Sequence, residues 1–217
     1  MTPSRKVTLF HTPNSRSTGV LTLLEELGAD YDLHLLNFKK SEQLDPAYLA
    51  VNPMGKVPAV KYGDALVTEQ VAIYIYLADL HADAGLAPAI DDALRGPYLR
   101  WIAFYGSCFE PALVDRAQKR EPGSRGMSPY GDYDTTVKAV TDRLAAGPWL
   151  LGDRFTAADV LWGTALRWTT MFKLVPETPA VKAYIERVTS RPAALRAAKI
   201  DEEIMAARAA QAGSAAS

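Results

Sequence analysis

The chain has 217 residues, of which 48% are hydrophobic and 23% are charged, a size and composition that allow one large or two small globular domains. Its formal net charge is −1 and its pI is near 6.3, which argues against the basic surface of a nucleic-acid-binding protein. The apolar runs are far shorter than the roughly 20 residues of a membrane-spanning helix. We therefore expect a soluble, cytoplasmic protein with neither a nucleic acid nor a membrane as a partner.

The cysteine and histidine content restricts the chemistry further. The single cysteine, Cys108, cannot form an internal disulfide, which fits a reducing compartment, and its apolar surroundings favour a small core residue over a catalytic thiol. The three histidines and this cysteine are not spaced like metal ligands, so no metal site is predicted. The start of the chain does not resemble an export signal, because its apolar stretch ends at His11 and Pro13.

The first part of the chain alternates strand and helix patterns. Residues 7–10 form a short apolar strand pattern, and residues 17–27 place apolar side chains on one helical face before Gly28, which is suited to a C-cap. Residues 31–36 then alternate apolar and polar side chains, as a second strand does. A strand, a helix and a strand in this order predict a parallel βαβ unit.

A hairpin and a helix complete this part. After a helical turn at residues 46–50, residues 57–60 and 65–67 have the pattern of two strands, joined by a turn in which Gly63 allows a positive φ. Residues 68–81 predict a helix that Thr68 caps. The predicted order is therefore βαβ followed by ββα.

Residues after Gly85 show helical patterns without convincing strands. We predict a first domain at residues 1–84, a linker at 85–90, a helical domain at 91–205 and a frayed, Ala- and Ser-rich tail at 206–217. Thr156 and Asp159 have the spacing of a capping box, which is a structural feature. The predicted helices of the second domain cover residues 91–109, 133–145, a stretch that starts at 156, and 179–190.

Two local features indicate a ligand site. A cis bond between Val57 and Pro58 would turn the Val57 main chain toward an extended peptide, although the prolines could also only shape a turn. Glu69 and Gln70 open a helix directly after a strand, where helix N–H groups favour an anion and the Glu69 carboxylate could accept hydrogen bonds from an ammonium group. The pair would suit an amino-acid head group, or Glu69 could only complement the helix dipole.

These features belong to a larger pattern. Residues 52–58, 66–70 and 152–159 together resemble the cytosolic glutathione transferase superfamily across nearly the whole chain. The resemblance implies a thioredoxin-like α/β first domain followed by an all-helical second domain. It also implies a homodimer and glutathione as co-substrate.

The resemblance assigns the glutathione contacts. It implies that Val57, before a cis Pro58, pairs with the cysteinyl main chain of glutathione, and that Glu69 and Gln70 hold the γ-glutamyl end. Gln70 stands where most members of the family have serine. The basic residues implied for the glycyl carboxylate are Lys39 or Lys40, with Lys56 as a further candidate.

The resemblance implies a catalytic Tyr, Ser, Cys or Asn residue near the end of the first strand or the start of the first helix. Only a few per cent of a thiol with a pKa near about 8.5 is ionised at neutral pH, so a hydrogen-bond donor must stabilise the thiolate. Residues 10–19 contain no tyrosine or cysteine, which leaves a Ser- or Asn-type donor among Asn14, Ser15 and Ser17. All three residue types are also good N-caps, so one of them should cap the helix.

The second substrate is expected to be an apolar electrophile. The resemblance implies that aromatic side chains of the helical domain line its site, although rows of aromatic residues at this spacing also form cores. The candidates are Trp101, Tyr105, Phe109 and Trp168. We predict a glutathione transferase. The alternatives are a glutathione-dependent disulfide or peroxide reductase, and a non-catalytic binding or interaction protein of the same fold.

Overall fold

The computed structural model describes residues 6–214, which divide into two compact units. The first unit contains the residues up to Ile73 together with those from Arg191 onward, and the second unit is Tyr74–Ser190. This division differs from the predicted one, because the last helix belongs to the first unit. Within residues 6–214, no helix has the length and apolar character needed to cross a membrane.

The first unit is built on a four-stranded mixed sheet with the strand order β2-β1-β3-β4. Strand β1 is parallel to β2 and antiparallel to β3, and β3 is antiparallel to β4. The predicted βαβ-ββα order and the thioredoxin-like arrangement are confirmed. The elements are β1 (Val7–His11), α1 (Arg16–Leu27), β2 (Tyr31–Leu35), α2 (Pro46–Leu49), β3 (Ala59–Tyr62), β4 (Ala65–Thr68), α3 (Gln70–Leu80), which continues into the second unit, and α9 (Pro192–Ser214).

Helix α1 forms as its sequence predicts. Ser15 is the N-cap, and Gly28 ends the helix in the left-handed conformation with φ = 61°. The predicted apolar face is buried, with Val20, Leu23 and Leu24 completely inaccessible. Burial of such a face, rather than helix propensity alone, stabilises a helix of this length.

Helix α9 packs against α1 and is the main departure from the predicted fold. Its residues Ala193 and Ala197 are buried, and Arg191 forms a two-pronged ion pair with Glu26 at N–O distances of 2.6 and 2.8 Å. Where the sequence predicts a frayed tail, α9 continues to Ser214, which fits the high helix propensity of its alanines. Residues 215–217 lie outside the described part of the chain.

The second unit is helical, as predicted. The predicted helix at 91–109 is observed as α4, a π-helical turn at Tyr105–Phe109 and a continuation as α5. Predicted residues 133–145 form α6 with the same bounds. The elements after the end of α3 are α4 (Arg95–Phe104), α5 (Glu110–Ala117), α6 (Tyr133–Ala145), α7 (Ala157–Met171) and α8 (Pro179–Thr189).

The capping box at the start of α7 is confirmed. The Thr156 side chain and the buried Asp159 carboxylate form the reciprocal bonds of the box. The Asp159 carboxylate also accepts hydrogen bonds from the Leu150 main-chain N–H at 2.8 Å and from the Tyr184 hydroxyl at 2.9 Å. This carboxylate therefore joins α7, α8 and the loop before α7.

Helices α7 and α8 cross closely at Gly163. A Cβ atom at this position would lie 2.5 Å from both Cβ and Cγ1 of Val188, which is too short for any carbon pair. We expect Gly163→Ala to destabilise the protein by about 1–3 kcal/mol, because the helices must move apart. The measurement is urea unfolding followed by circular dichroism. A matched control is Gly96→Ala in α4, where a Cβ atom meets nothing within 4 Å.

The Gly163 prediction has an internal check. Val188→Ala in the Gly163→Ala background should recover only part of the loss, because alanine keeps the Cβ atom that clashes. A Gly163→Ala variant as stable as the wild type would contradict the close crossing.

Candidate functional site

Strand register brings the predicted site segments together at one end of the sheet. Phe10 pairs with Ala59, and Ala59 pairs with Thr68. The end of β1, the start of β3 and the end of β4 are therefore side by side. This end of the sheet therefore brings together the turn into α1, the segment before β3 and the start of α3.

The Val57-Pro58 peptide bond is cis. Both residues are buried, and the preceding carbonyl, that of Lys56, accepts hydrogen bonds from the Tyr48 hydroxyl at 2.6 Å and from the Asn52 amide at 2.8 Å. The main-chain N–H and C=O of Val57 have no hydrogen-bond partner among residues 6–214. The hydrogen bonds from Tyr48 and Asn52 thus fix this segment, while the main-chain N–H and C=O of Val57 remain able to pair with a ligand.

The start of α3 carries two polar side chains. Glu69 is exposed and has a left-handed backbone with φ = 65°, and the helix begins at Gln70, so the predicted cap Thr68 is instead the last residue of β4. The Gln70 side-chain N–H donates to the Arg16 carbonyl at 3.4 Å. Its Oε1 is buried and has no partner in the described part of the chain. Gln70 therefore joins α3 to the start of α1 and retains one acceptor.

The three candidate thiolate donors have different environments. Asn14 is exposed and left-handed with φ = 58°, and its Nδ2 lies 3.0 Å from Sδ of Met205 in α9. Ser15 is half-buried and caps α1, accepting from the Ser17 N–H at 3.1 Å. Ser17 is fully buried and its hydroxyl contacts His11 Nδ1 at 2.8 Å. A ligand can therefore approach Asn14 and Ser15 but not Ser17.

These observations allow comparison with known proteins. Family models described as the N-terminal and the C-terminal domain of glutathione S-transferase match residues 5–79 and 133–192. A curated "Glutathione S-transferase GstA" of Escherichia coli O157:H7 is 30% identical over 85% of this chain and 93% of its own length. The chain belongs to the glutathione S-transferase family. It is accordingly a glutathione-utilising enzyme, with glutathione as a substrate.

Two further relatives of this glutathione S-transferase extend the comparison. A "Disulfide-bond oxidoreductase YfcG" of Escherichia coli strain K12 is 27% identical over 91% of this chain and 98% of its own length. A solved sphingomonad glutathione S-transferase, complexed with glutathione, is 29% identical and has a TM-score of 0.74 over 90% of this chain and 98% of its own. The family therefore includes proteins named for two kinds of activity.

The predicted basic residues lie near the same end of the sheet. Lys39 and Lys40 are exposed in a short 3₁₀ turn that follows β2, and the end of β2 pairs with the end of β1. Lys56 is exposed and directly precedes Val57. None of the three forms an ion pair with another residue between 6 and 214, so each ammonium group is open to a carboxylate.

Three of the four predicted electrophile contacts are core residues of the second unit. Tyr105 and Phe109 are buried against Trp162, at ring-centroid distances of 5.7 and 4.6 Å, and Trp101 packs on the same ring at 5.8 Å. Packing in a core, the alternative interpretation of this aromatic row, therefore explains its spacing. Trp168 is half-buried and is the accessible member of the set.

Sequence reasoning missed the contribution of α9 to this end of the sheet. Asp201 contacts His11 at the end of β1, and Met205 contacts Asn14 in the turn into α1. Arg208 donates to Thr12 Oγ1 at 3.2 Å and to the Leu36 carbonyl at 3.0 Å. The four-residue spacing of Ala193, Ala197 and Asp201 is the signal that could have revealed a packed face.

Proposed function

We propose that this enzyme stabilises the glutathione thiolate and conjugates it to an apolar electrophile. The observation that carries the proposal is the meeting of three sets of polar groups at one end of the sheet. They are the unpaired main chain of Val57, the acceptors of Glu69 and Gln70, and the accessible side chains of Asn14 and Ser15. They would contact the cysteinyl main chain, the γ-glutamyl end and the cysteinyl sulfur of glutathione, respectively.

The tripeptide would bind in an extended form. The cysteinyl main chain would pair with Val57, which directs the cysteinyl sulfur toward the turn into α1. The exposed Glu69 carboxylate would accept hydrogen bonds from the γ-glutamyl ammonium, and the N–H groups at the start of α3, which begins at Gln70, would donate to its carboxylate. Lys40 or Lys56 would pair with the glycyl carboxylate.

The thiolate would be stabilised by the Ser15 hydroxyl, with the Asn14 amide as a second donor. Ser17 is not proposed for this role, because its hydroxyl is buried and contacts His11 Nδ1. One Asn14 amide hydrogen faces Met205, and the other is available to a second sulfur. Both donors lie at the N-terminus of α1, where a negative charge is stabilised.

The thiolate donors can be tested by substitution. We expect Ser15→Ala to lower kcat/KM at neutral pH by about tenfold or more, because a hydrogen bond to a charged group is worth about 1.5–3 kcal/mol. Asn14→Ala should lower it in the same direction. A matched control is Ser41→Ala, which changes an exposed serine. Wild-type rates in both the Ser15 and the Asn14 variant would contradict the proposed donors.

A glutathione-dependent disulfide reductase is the second candidate. Its support is the disulfide-bond oxidoreductase relative, which covers 91% of the chain. The same preparation should be assayed for aromatic displacement, thiol addition and reduction of a glutathione mixed disulfide. Conjugation should be the fastest reaction. Disulfide reduction without conjugation would favour the second candidate, and glutathione binding without either reaction would favour a carrier.

Two further features belong to the proposal. Trp168 is proposed to contact the electrophile, since it is the accessible aromatic residue among the four candidates. The enzyme is proposed to be a homodimer, as its family resemblance implies. Light scattering at micromolar concentration tests the second point, and a monomer would contradict it.

A further inference from the structure

A line of hydrogen-bonded side chains connects α9 with Ser15. Asp201 Oδ1 lies 2.7 Å from His11 Nε2, and His11 Nδ1 lies 2.8 Å from Ser17 Oγ. Ser17 Oγ in turn lies 2.7 Å from Ser15 Oγ. His11 and Ser17 are fully buried and Asp201 is 5% exposed, so the line begins in the interior and ends at the half-buried N-cap of α1.

The direction of the line depends on the hydrogens of the His11 ring. The Asp201 carboxylate requires an N–H on Nε2. When Nδ1 also carries a hydrogen, Ser17 Oγ accepts from it and from the Thr12 main-chain N–H at 3.2 Å. The Ser17 hydroxyl can then donate to Ser15 Oγ or to the Thr12 carbonyl at 3.2 Å. In the neutral form Nδ1 is an acceptor, Ser17 donates to it, and the Ser15 hydroxyl is drawn inward to Ser17.

The imidazolium arrangement leaves the Ser15 proton for a ligand. Ser15 Oγ then accepts from the Ser17 hydroxyl and from the Ser17 N–H, which occupies both of its lone pairs. Its own proton can donate to the Thr12 carbonyl at 2.8 Å or to an incoming anion. A thiolate competes well for this proton, because a charged acceptor forms the stronger hydrogen bond.

Docking of α9 does not by itself explain a buried carboxylate. The ion pairs of Arg191 with Glu26 and of Arg196 with Glu25 already attach α9 to α1. The positions one and two turns before Asp201 are the buried alanines 197 and 193, which are apolar. Burying a charge is costly unless it is paired. The buried Asp201 carboxylate is therefore explained by the side chains that it contacts, beginning with His11.

We propose that Asp201 is a positioning residue that acts through His11 and Ser17 to direct the Ser15 hydroxyl toward the glutathione sulfur. The inference rests on the proposed function. Asp201 accepts the Nε2 hydrogen of His11 and so fixes the orientation of the ring that contacts Ser17, and the glutathione proton is released to solvent. The other charged α9 side chain at this place, Arg208, is bonded to Thr12 and to the Leu36 carbonyl.

The test measures the pKa of the thiol of enzyme-bound glutathione, from thiolate absorbance against pH, together with the glutathione Kd from calorimetry. We expect Ser15→Ala to raise this pKa by about one unit, a tenfold change in ionisation. Asp201→Asn and Ser17→Ala should raise it in the same direction with little change in Kd. Thr18→Val is the matched control, since Thr18 bonds to the other Asp201 oxygen and lies outside the line.

A double substitution separates positioning from a general structural effect. Because Asp201 acts through Ser15, Asp201→Asn should add nothing to the pKa shift in a Ser15→Ala background. If Asp201→Asn fails to fold, Ser17→Ala interrupts the same line without removing a buried charge. An additive shift, or an unchanged thiol pKa in Asp201→Asn and Ser17→Ala, would overturn the inference.

The remaining outcomes distinguish this inference from the proposed function. Intact glutathione binding with a normal thiol pKa in Ser15→Ala would overturn the positioning role and leave glutathione binding in place. Absence of glutathione binding to the wild-type enzyme would overturn both.

Discussion

Replacing Asp159 with alanine is expected to destabilise the second unit by about 3–5 kcal/mol, as for other substitutions that leave buried groups uncompensated. The carboxylate is completely buried and accepts from the main-chain N–H groups of Leu150 and Thr156 and from the Tyr184 hydroxyl. Each of these donors would lose its partner in the interior, and the start of α7 would lose its cap.

The Asp159 effect follows from hydrogen bonding to a buried charged group. Burial raises the pKa of Asp159, and the hydrogen bonds from Leu150, Thr156 and Tyr184 oppose that rise because they stabilise the carboxylate. Asp159→Asn should therefore also be destabilising, since its NH₂ group would face other donors. These hydrogen bonds need both carboxylate oxygens as acceptors, so an asparagine side chain of the same shape does not replace them.

Urea unfolding with tryptophan fluorescence measures the Asp159 effect. The matched control is Asp153→Ala, which removes an exposed carboxylate from the same loop and should change the stability by less than about 0.5 kcal/mol. A loss below about 1 kcal/mol in Asp159→Ala would show that the buried donors find other partners.

The second large effect concerns glutathione affinity. We expect Glu69→Gln to weaken glutathione binding by about 10- to 100-fold, which corresponds to the loss of a charge-assisted hydrogen bond worth about 1.5–3 kcal/mol. Glu69 is exposed, so the unfolding free energy should stay near the wild-type value. The side chain keeps its shape while its charge is removed, so the change reports on the ammonium contact.

A truncated ligand shows where the lost affinity resides. Cysteinylglycine lacks the γ-glutamyl group and should bind the wild type and Glu69→Gln with similar, low affinity in calorimetry. The matched control is Asp64→Asn, an exposed carboxylate in the β3-β4 turn at the other end of β3. Equal losses of affinity for glutathione and for cysteinylglycine in Glu69→Gln would contradict the γ-glutamyl assignment.

Local sequence signals predict much of the first unit and the start of α7 in the second unit. The left-handed Gly28, the alternation of β2 and the Thr156-Asp159 box depend on neighbouring residues, so their patterns could be recognised without a fold. Val57 and Glu69 are predicted as site residues for the same reason, because a proline before a strand and an acid at a helix start are local features. Strand register then placed them together.

The remaining features depend on contacts between distant parts of the chain. His11 and Asp201 are 190 positions apart, so their pairing could not be found before α9 was placed against α1. A helical aromatic row such as Tyr105 and Phe109 can belong to a core or to a binding site. The packing of both rings against Trp162 shows that this row belongs to a core. Pro192 opens α9, a position that proline favours, but only the packing of α9 against α1 assigns this helix to the first unit.

The central claim is that glutathione binds at the sheet end through the Val57 main chain. An NMR titration of ¹⁵N-labelled protein with glutathione tests it most directly, because the Val57 amide has no partner within residues 6–214 and should respond to a new hydrogen bond. We expect large, saturable shifts of the Val57 and Gln70 amides and small shifts at the Gly63 turn. Saturable glutathione binding that leaves the Val57 amide unshifted would contradict the account.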